Sequence, residues 1–184
     1  MSWFNLRIVA RLAAVMALAA LTAGCFQPMY AEKAPDGGPG LREKLSTVEF
    51  PPLNVPNGSR EARLGVAIRN ELMFKAYGGA TGAPPLYSLT MRLRSSRTSV
   101  ILDAATARPD VENYGIDATY ELKDITTGKT VMTGSTTARV SYDIPGQEQR
   151  FARDRGLRDA EDRAAKEIAD NISTRLASYL YSKI

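Results

Sequence analysis

Apolar and polar side chains alternate along two stretches of this chain, and this alternation limits the folds open to it. In residues 86–103 the apolar positions fall two apart, at Tyr87, Leu89, Met91 and Leu93. In the second stretch they fall at Ile116, Ala118, Tyr120 and Leu122. A period of two is typical of a half-buried β-strand. The first strand is predicted to bend near residues 95–96. A hairpin turn is predicted at residues 126–129, followed by an antiparallel partner strand at residues 130–142.

Amphipathic helices are predicted before and after these strands in the sequence. The first follows N-cap candidates at residues 57–59, has apolar residues four apart at Leu64, Ile68 and Leu72, and ends at Gly78. The second covers about residues 149–182, with apolar residues at three- and four-residue steps. A short strand at residues 48–50 precedes the first helix. The sequence therefore predicts an α+β two-layer sandwich in the order β-α-β-β-β-α, with a mainly antiparallel four-stranded sheet and two helices on one face.

Residues 1–24 have the pattern of a secretory signal peptide. Arg7 and Arg11 precede an uncharged run of 13 residues from Leu12 to Gly24, which is too short to cross a bilayer, since that needs about 20 apolar residues. Small residues followed by the only cysteine, Cys25, resemble a bacterial lipobox, in which that cysteine is acylated. An ordinary signal peptide with an incidental cysteine is the alternative. Residues 25–44, rich in Gly, Pro and charge, predict a flexible tether, and residues 45–184 the folded domain.

The composition excludes several kinds of site. The chain has no histidine and one cysteine, so a Ser-His-Asp or Cys-His arrangement, a histidine-based metal site and an internal disulfide are impossible. Loss of Arg7 and Arg11 with the signal peptide leaves 22 basic against 20 acidic residues, which is too small an excess to indicate nucleic-acid binding. We therefore predict a protein that is not an enzyme and has no metal or cofactor, with an acid-catalysed hydrolase as the enzymatic alternative.

Basic residues of the first long strand are the sharpest candidates for a binding site. Arg92 and Arg94 share its polar face, and Arg97 follows near the bend. Lys123 and Lys129 of the neighbouring hairpin would extend the patch. Guanidinium groups clustered on a sheet face can make forked hydrogen bonds to phosphates. The alternative is that these residues only keep a strand face soluble or protect an edge strand.

Two further segments have unusual compositions. Residues 133–137 are small and polar for a strand, which fits either a surface lying against another protein or, more simply, a bulge at Gly134. The last helix carries many charges that we interpret as a solvated, salt-bridged outer side: Arg158, Asp159, Glu161, Asp162, Arg163, Lys166 and Glu167.

The order and spacing of several short motifs resemble the LptE family of lipopolysaccharide-assembly lipoproteins, in its alphaproteobacterial form. The motifs are Gly24-Cys25-Phe26 with Pro28 and Tyr30, Tyr87-Ser88-Leu89, Tyr120-Glu121-Leu122 before Thr127-Gly128-Lys129, and the helix from Asp159 to Tyr179. Phe26 follows Cys25 without the glycine common in the family, and Met29 stands where leucine is usual. The resemblance covers nearly all of residues 21–181.

The resemblance implies a function in the outer membrane. LptE-like proteins lie inside the barrel of the translocon LptD as a heterodimer, help it assemble, and help deliver lipopolysaccharide to the outer leaflet. By this resemblance, acylated Cys25 would anchor the chain to the membrane, and Arg92, Arg94, Arg97, Lys123 and Lys129 would be candidates to bind lipid A phosphates. The competing hypothesis is an accessory lipoprotein of another envelope machine, such as an ABC-transport auxiliary protein or a cell-wall synthase activator.

Overall fold

A computed structural model of the chain describes residues 37–78, 83–102, 109–144 and 150–183. These ranges contain three helices and four strands. In chain order they are α1 (Leu41–Ser46), β1 (Val48–Glu49), α2 (Arg60–Tyr77), β2 (Tyr87–Leu102), β3 (Pro109–Asp124), β4 (Thr130–Asp143) and α3 (Arg150–Tyr181).

The four strands form one open sheet in the order β1-β2-β3-β4. β1 is parallel to β2, and the other neighbours are antiparallel. The α+β fold and the mainly antiparallel four-stranded sheet predicted from the sequence are therefore confirmed, with α1 as an additional short helix. β2 pairs with β3 without interruption through residues 95–96, and its register shifts lie instead beyond Ser99. The bend predicted at residues 95–96 is therefore not accompanied by any interruption of the ladder.

The hydrophobic core lies between one face of the sheet and the helices. The strands contribute alternate buried residues: Leu89, Met91, Tyr114, Ile116, Ala118, Tyr120, Leu122, Ala138, Val140 and Tyr142. From the helices come Leu64, Ile68, Leu72, Ala160, Ala164, Ile168, Ile172, Leu176 and Leu180. Small alanines in α3 allow that helix to approach both the sheet and α2 closely. Every polar face that the alternation predicts therefore points away from the helices.

Both ends of α2 are set by local chemistry that the sequence indicates. At its start, the Ser59 hydroxyl accepts a hydrogen bond of 3.1 Å from the backbone N–H of Ala62. At its end, Gly78 adopts a left-handed conformation with φ of 62° and donates its N–H to the Phe74 carbonyl. Glycine adopts that conformation at little cost. The predicted N-cap segment and the C-terminal glycine are thus confirmed.

The ordered domain begins earlier than the predicted boundary at residue 45. α1 starts at Leu41, inside the segment predicted as tether, and both Leu41 and Leu45 are buried. Four residues apart, they share one side of the helix and pack into the core. The tether prediction is therefore wrong for residues 41–44, and residues 25–36 lie outside the described residues.

Side chains of α2 hold the short strand β1 in place. The Tyr77 hydroxyl donates to the carbonyl of Val48, and Arg69 Nε donates to the carbonyl of Phe50 at 2.5 Å. These bonds satisfy backbone acceptors of β1 and of the residue after it, and no further strand among the described residues pairs with the outer edge of β1.

Candidate functional site

The outer face of the sheet, defined as the side opposite the helices, brings together three of the five predicted phosphate-binding residues. Arg92 pairs with Thr119 and Arg94 with Asp117 across β2 and β3, while Lys123 pairs with Ser88. Side chains two apart on a strand share a face, so Arg92, Arg94 and Lys123 all lie on this side. All three are exposed.

Two of the acidic residues on the outer face, Asp117 and Glu121, are in ion pairs. Arg139 Nη2 lies 2.9 Å from Asp117 Oδ1, so the carboxylate opposite Arg94 is already engaged. Lys123 Nζ lies 3.7 Å from Glu121 Oε2, and each side chain is about half exposed, which makes this pair weak. Among the described residues, no carboxylate lies within 4.0 Å of the Arg92 or Arg94 guanidinium group. These two cations are thus open to an external anion.

A groove of about 690 Å³ runs over part of this face and includes two of the cations. Residues 51–55, which follow β1, form its apolar wall with two prolines, a leucine and a valine. Arg92 and Lys123 line it together with threonines of β2, β3 and β4. A ligand with both anionic and apolar parts therefore fits the chemistry of this groove.

Of the other two predicted residues, Arg97 lies on the opposite face, and Lys129 is exposed next to Thr130, which pairs with Lys123. Arg97 pairs with Tyr114, which is fully buried on the helix side of the sheet, so Arg97 belongs to the opposite face. Lys129 lies just before β4, where its carbonyl accepts the N–H of Asp124 at the end of the hairpin. The predicted single patch is therefore wrong in extent. Arg97 is an odd number of residues from Arg92 and Arg94, and strict alternation along β2 separates them.

Arg97 lies instead near Tyr142, which contacts a buried carboxylate on the helix side. The Tyr142 hydroxyl donates to Glu112, and Arg153 Nη2 lies 3.7 Å from Glu112 Oε1. Burial raises the pKa of Tyr142, the hydrogen bond and charge of Glu112 raise it further, and the charge of Arg97 opposes the rise. These partners compensate the charge of Glu112, so the cluster is a local network that closes this end of the sandwich.

Glu161 is a buried acid that the sequence interpretation missed. It was interpreted as part of a solvated face, yet only 2 % of it is exposed. Arg60 Nε lies 3.1 Å from its Oε1, and Arg63 contacts its Oε2. A signal for this was present, because Glu161 follows Leu157 by four positions and precedes Ala164 by three. Those spacings place it on the inward stripe of α3.

Packing explains the glycine in residues 133–137, the small, polar segment of β4. Gly134 pairs with Tyr120 across β3 and β4, and the ladder is continuous there, so the bulge suggested by the sequence is absent at this position. A Cβ atom on Gly134 would lie 2.5 Å from the Tyr120 hydroxyl oxygen. The glycine therefore makes room for the buried tyrosine ring.

Several sequence predictions concern residues outside the described ranges. Cys25 and residues 1–24 lie outside the described residues. Within the described ranges, no helix is long and apolar enough to cross a membrane. The same ranges contain no group of three or more Cys, Asp or Glu side chains that could hold a metal ion.

Comparison with known proteins identifies a family and a fold. The model of a family described as LptE, lipopolysaccharide-assembly, matches residues 45–176. That span runs from the end of α1 to the last turns of α3. No curated protein sequence matches the chain.

Solved structures that are similar to this chain come from several bacteria. A candidate lipoprotein from Caulobacter crescentus has a TM-score of 0.59 and 23 % identity, over 76 % of this chain and 95 % of that one. Rare lipoprotein B from Shewanella oneidensis has a TM-score of 0.49 and 15 % identity, over 72 % of this chain and 92 % of that one. A minor lipoprotein from Acinetobacter baumannii has a TM-score of 0.49 and 13 % identity, over 71 % and 88 %. The Caulobacter structure supports the fold.

Proposed function

The chain belongs to the LptE lipopolysaccharide-assembly family, and on this premise we propose that it is an outer-membrane lipoprotein that occupies an LptD-like barrel. In this role it helps the barrel assemble and assists the transport of lipopolysaccharide to the outer leaflet. The proposed assembly is a heterodimer, and the role assigned to the chain is binding, with no chemical step.

The observation that carries this proposal is the extent of the family match, which includes all four strands, α2 and most of α3. The surface chemistry is compatible with it. The outer face of the sheet presents short hydroxyl side chains and charges: Thr90, Arg92, Arg94, Thr119, Thr133, Ser135, Thr137 and Arg139. The interior of an outer-membrane barrel is polar, so such a face can lie against it without burying unpaired apolar surface.

Cys25 is the proposed attachment point. In a mature lipoprotein its sulfur and its new N-terminus carry acyl chains, and stable anchoring requires more than one chain, at about 0.8 kcal/mol for each buried methylene. Phe26, rather than aspartate, follows Cys25, which by family resemblance fits export to the outer membrane.

Arg92, Arg94 and Lys123 are the proposed contacts for lipid A phosphates. They share the outer face, and the guanidinium groups of Arg92 and Arg94 are open to a bidentate contact with a phosphate. The apolar wall of residues 51–55 lies beside Arg92 and Lys123, where it can accept part of an acyl chain. Arg97 is left out of this proposed site because its register partner, Tyr114, is buried on the helix side of the sheet.

The test of the function is affinity purification of the tagged lipoprotein from detergent-solubilised membranes, followed by mass spectrometry. A near-stoichiometric outer-membrane barrel is expected. Cys25→Ala serves as the control for the anchor, because it should remain a precursor or become soluble in the periplasm. An inner-membrane or periplasmic partner in place of the barrel would transfer the chain to the class of accessory lipoproteins of other envelope machines.

The phosphate contacts predict a specific loss of binding. Arg92→Ala with Arg94→Ala should weaken lipopolysaccharide binding by about tenfold or more, because two charge-assisted hydrogen-bonding groups are removed. Surface plasmon resonance on immobilised lipopolysaccharide measures the change. The matched control is Arg155→Ala with Arg175→Ala, which removes the same charge from exposed positions of α3. Equal effects of the two double variants would return Arg92 and Arg94 to a purely solubilising role.

A further inference from the structure

One end of the domain gathers the segment that leads to Cys25 with the tip of the β3–β4 hairpin. The N–H of Ile125, in the hairpin turn, donates to the carbonyl of Leu86 at 3.0 Å. The N–H of Leu86 in turn donates to the carbonyl of Thr47 at 2.9 Å, directly after α1. Lys44 of α1 donates to the carbonyl of Lys183, beyond the end of α3, at 3.3 Å. We name this region the anchor end.

Two large apolar side chains are exposed side by side at the anchor end. Leu86 is 53 % exposed and Ile125 is 45 % exposed, and the hydrogen bond between their backbones keeps them adjacent. Isolated exposed apolar residues are ordinary, but an adjacent pair at the tip of a hairpin forms a small wedge that water solvates poorly. Val66 and Phe151 are also exposed, on α2 and α3, and they provide a comparison below.

Basic side chains surround this wedge. Lys129 closes the hairpin turn, Lys183 and Lys44 are linked by the contact described above, and Arg42 is exposed on α1. The acidic groups at this end include Asp124, Glu43 and Glu49, the last exposed on β1 opposite Ser88. Asp124 accepts the backbone N–H of Thr127 at 2.8 Å and is thereby committed to the turn. An apolar tip with a cationic rim has the composition of a surface that binds anionic phospholipid.

The described part of the chain begins close to this end of the domain, with α1. Gly37, the first described residue, follows Cys25 by twelve positions, a distance of at most about 40 Å when extended. α3 has 32 residues and is about 48 Å long, so its far end, with Phe151, lies well away from the attachment point. Of the two ends of α3, the anchor end is therefore the one at which the segment that follows Cys25 joins the domain, as the contact between Lys44 and Lys183 shows.

We propose that the anchor end rests on the phospholipid leaflet that holds the acyl chains of Cys25. Leu86 and Ile125 enter the headgroup region, and Lys129, Lys183 and Lys44 face lipid phosphates. This contact rests on the lipid anchor of the proposed function but does not require the barrel; it describes the lipoprotein before or apart from its assembly with that partner.

A tryptophan reporter tests this contact directly. The only tryptophan of the chain is Trp3, in the predicted signal peptide, so the mature lipoprotein would have none. Ile125→Trp, and Leu86→Trp as a second reporter, are prepared as acylated protein in vesicles of phosphatidylethanolamine and phosphatidylglycerol. Phe151→Trp is the matched control, since it places the same indole at an exposed position on the far end of α3. Quenching by brominated lipid and by aqueous iodide is then measured.

The expected result is an opposite pattern for the two ends. The indole in Ile125→Trp should be quenched by brominated lipid and be several-fold less accessible to iodide than the indole in Phe151→Trp. Equal iodide access and no lipid quenching at both Ile125→Trp and Leu86→Trp would refute the contact while leaving the anchor intact. Protein that fails to float with the vesicles would refute the anchor itself, and the contact with it.

Discussion

The carboxylate of Glu161 connects α2 to α3 from a position almost without solvent access. Its two partners are much more exposed to solvent, because the Arg60 and Arg63 side chains keep 38 % and 46 % of their surface exposed. Loss of the carboxylate would leave cations that water can reach. Loss of both arginines would leave an anion buried and uncompensated, which is the more costly state. The arginines are thus needed mainly because the acid is there.

Because the acid is buried and the arginines are not, we expect replacement of the arginines and replacement of the glutamate to lower the stability of the domain by different amounts. Arg60→Met with Arg63→Met should lower the free energy of unfolding by about 3 kcal/mol, since the buried charge loses its partners. Glu161→Gln should cost only about 1 kcal/mol, because a neutral amide needs less compensation. Urea denaturation of the three proteins measures both values. A larger loss for Glu161→Gln than for the arginine pair would contradict the argument.

Single residues also show which positions can be predicted from the sequence alone and which cannot. Arg92 and Arg94 were placed on the open face correctly, because alternation decides the side of a strand residue. Arg97 is grouped with them in the sequence prediction because it follows closely along β2. Its assignment to the other face depends on uninterrupted pairing with β3, which is a long-range property. Glu161 depends on α2, which lies about a hundred residues earlier in the chain, so its partners could not be identified from local spacing.

At the level of elements, the close packing of β3 against β4 depends on the pairing of Tyr120 with Gly134. Tyr120 is 2 % exposed, so its ring has little room to move if a side chain is added opposite to it. The absence of a Cβ atom on Gly134 therefore determines how closely the ring lies over β4.

Gly134→Ala should destabilise the domain by about 2 kcal/mol, because the added methyl group meets the tyrosine ring. The penalty should shrink when the ring is absent, so Gly134→Ala is also measured in the Tyr120→Leu background. Thermal or urea unfolding of the four proteins completes a double-mutant cycle. An identical penalty in both backgrounds would show that the ring is not the cause.

The helices illustrate the limit of local patterns. α2 and α3 were predicted because their apolar stripes are long and, for α2, because Ser59 and Gly78 provide end signals. α1 was not, because Leu41 and Leu45 make only one turn of helix within a segment rich in glycine, proline and charge. Its order comes from burial against α2 and α3, which is a tertiary effect that overrides composition.

On the scale of the whole molecule, the architecture follows from a few strong constraints. Two alternating strands, the second joined by a hairpin to an antiparallel partner, lie between two long amphipathic helices in the sequence, and this order leaves few arrangements other than a sheet covered on one face. The parallel pairing of β1 with β2 completes the sheet through a crossover that contains α2. The buried phenols of Tyr77, Tyr114 and Tyr142 are spread along this structure, one on α2 and two on the sheet.

These phenols predict how the whole domain responds to alkali. Burial raises the pKa of Tyr77, Tyr114 and Tyr142 above the ordinary value of 10.0. The unfolded chain therefore releases these protons first, and stability that is fully present below about pH 10 should fall as the pH rises further. Urea midpoints measured from pH 8 to 11 test this, and Tyr114→Phe should flatten the profile. A midpoint that is independent of pH in this range would contradict the expectation.

The short pairing between β1 and β2 affects how the domain responds to a pulling force. In a protein anchored through Cys25, a pull from the membrane enters the domain near Gly37 and acts first on α1 and then on β1. β1 makes only two residue pairs with β2, so these elements would detach before the three long strands are disturbed. Release of residues 41–49 would lengthen the connection by about 30 Å. Tension between the leaflet and a fixed partner would thus be taken up by the N-terminal segment while most of the core stays folded.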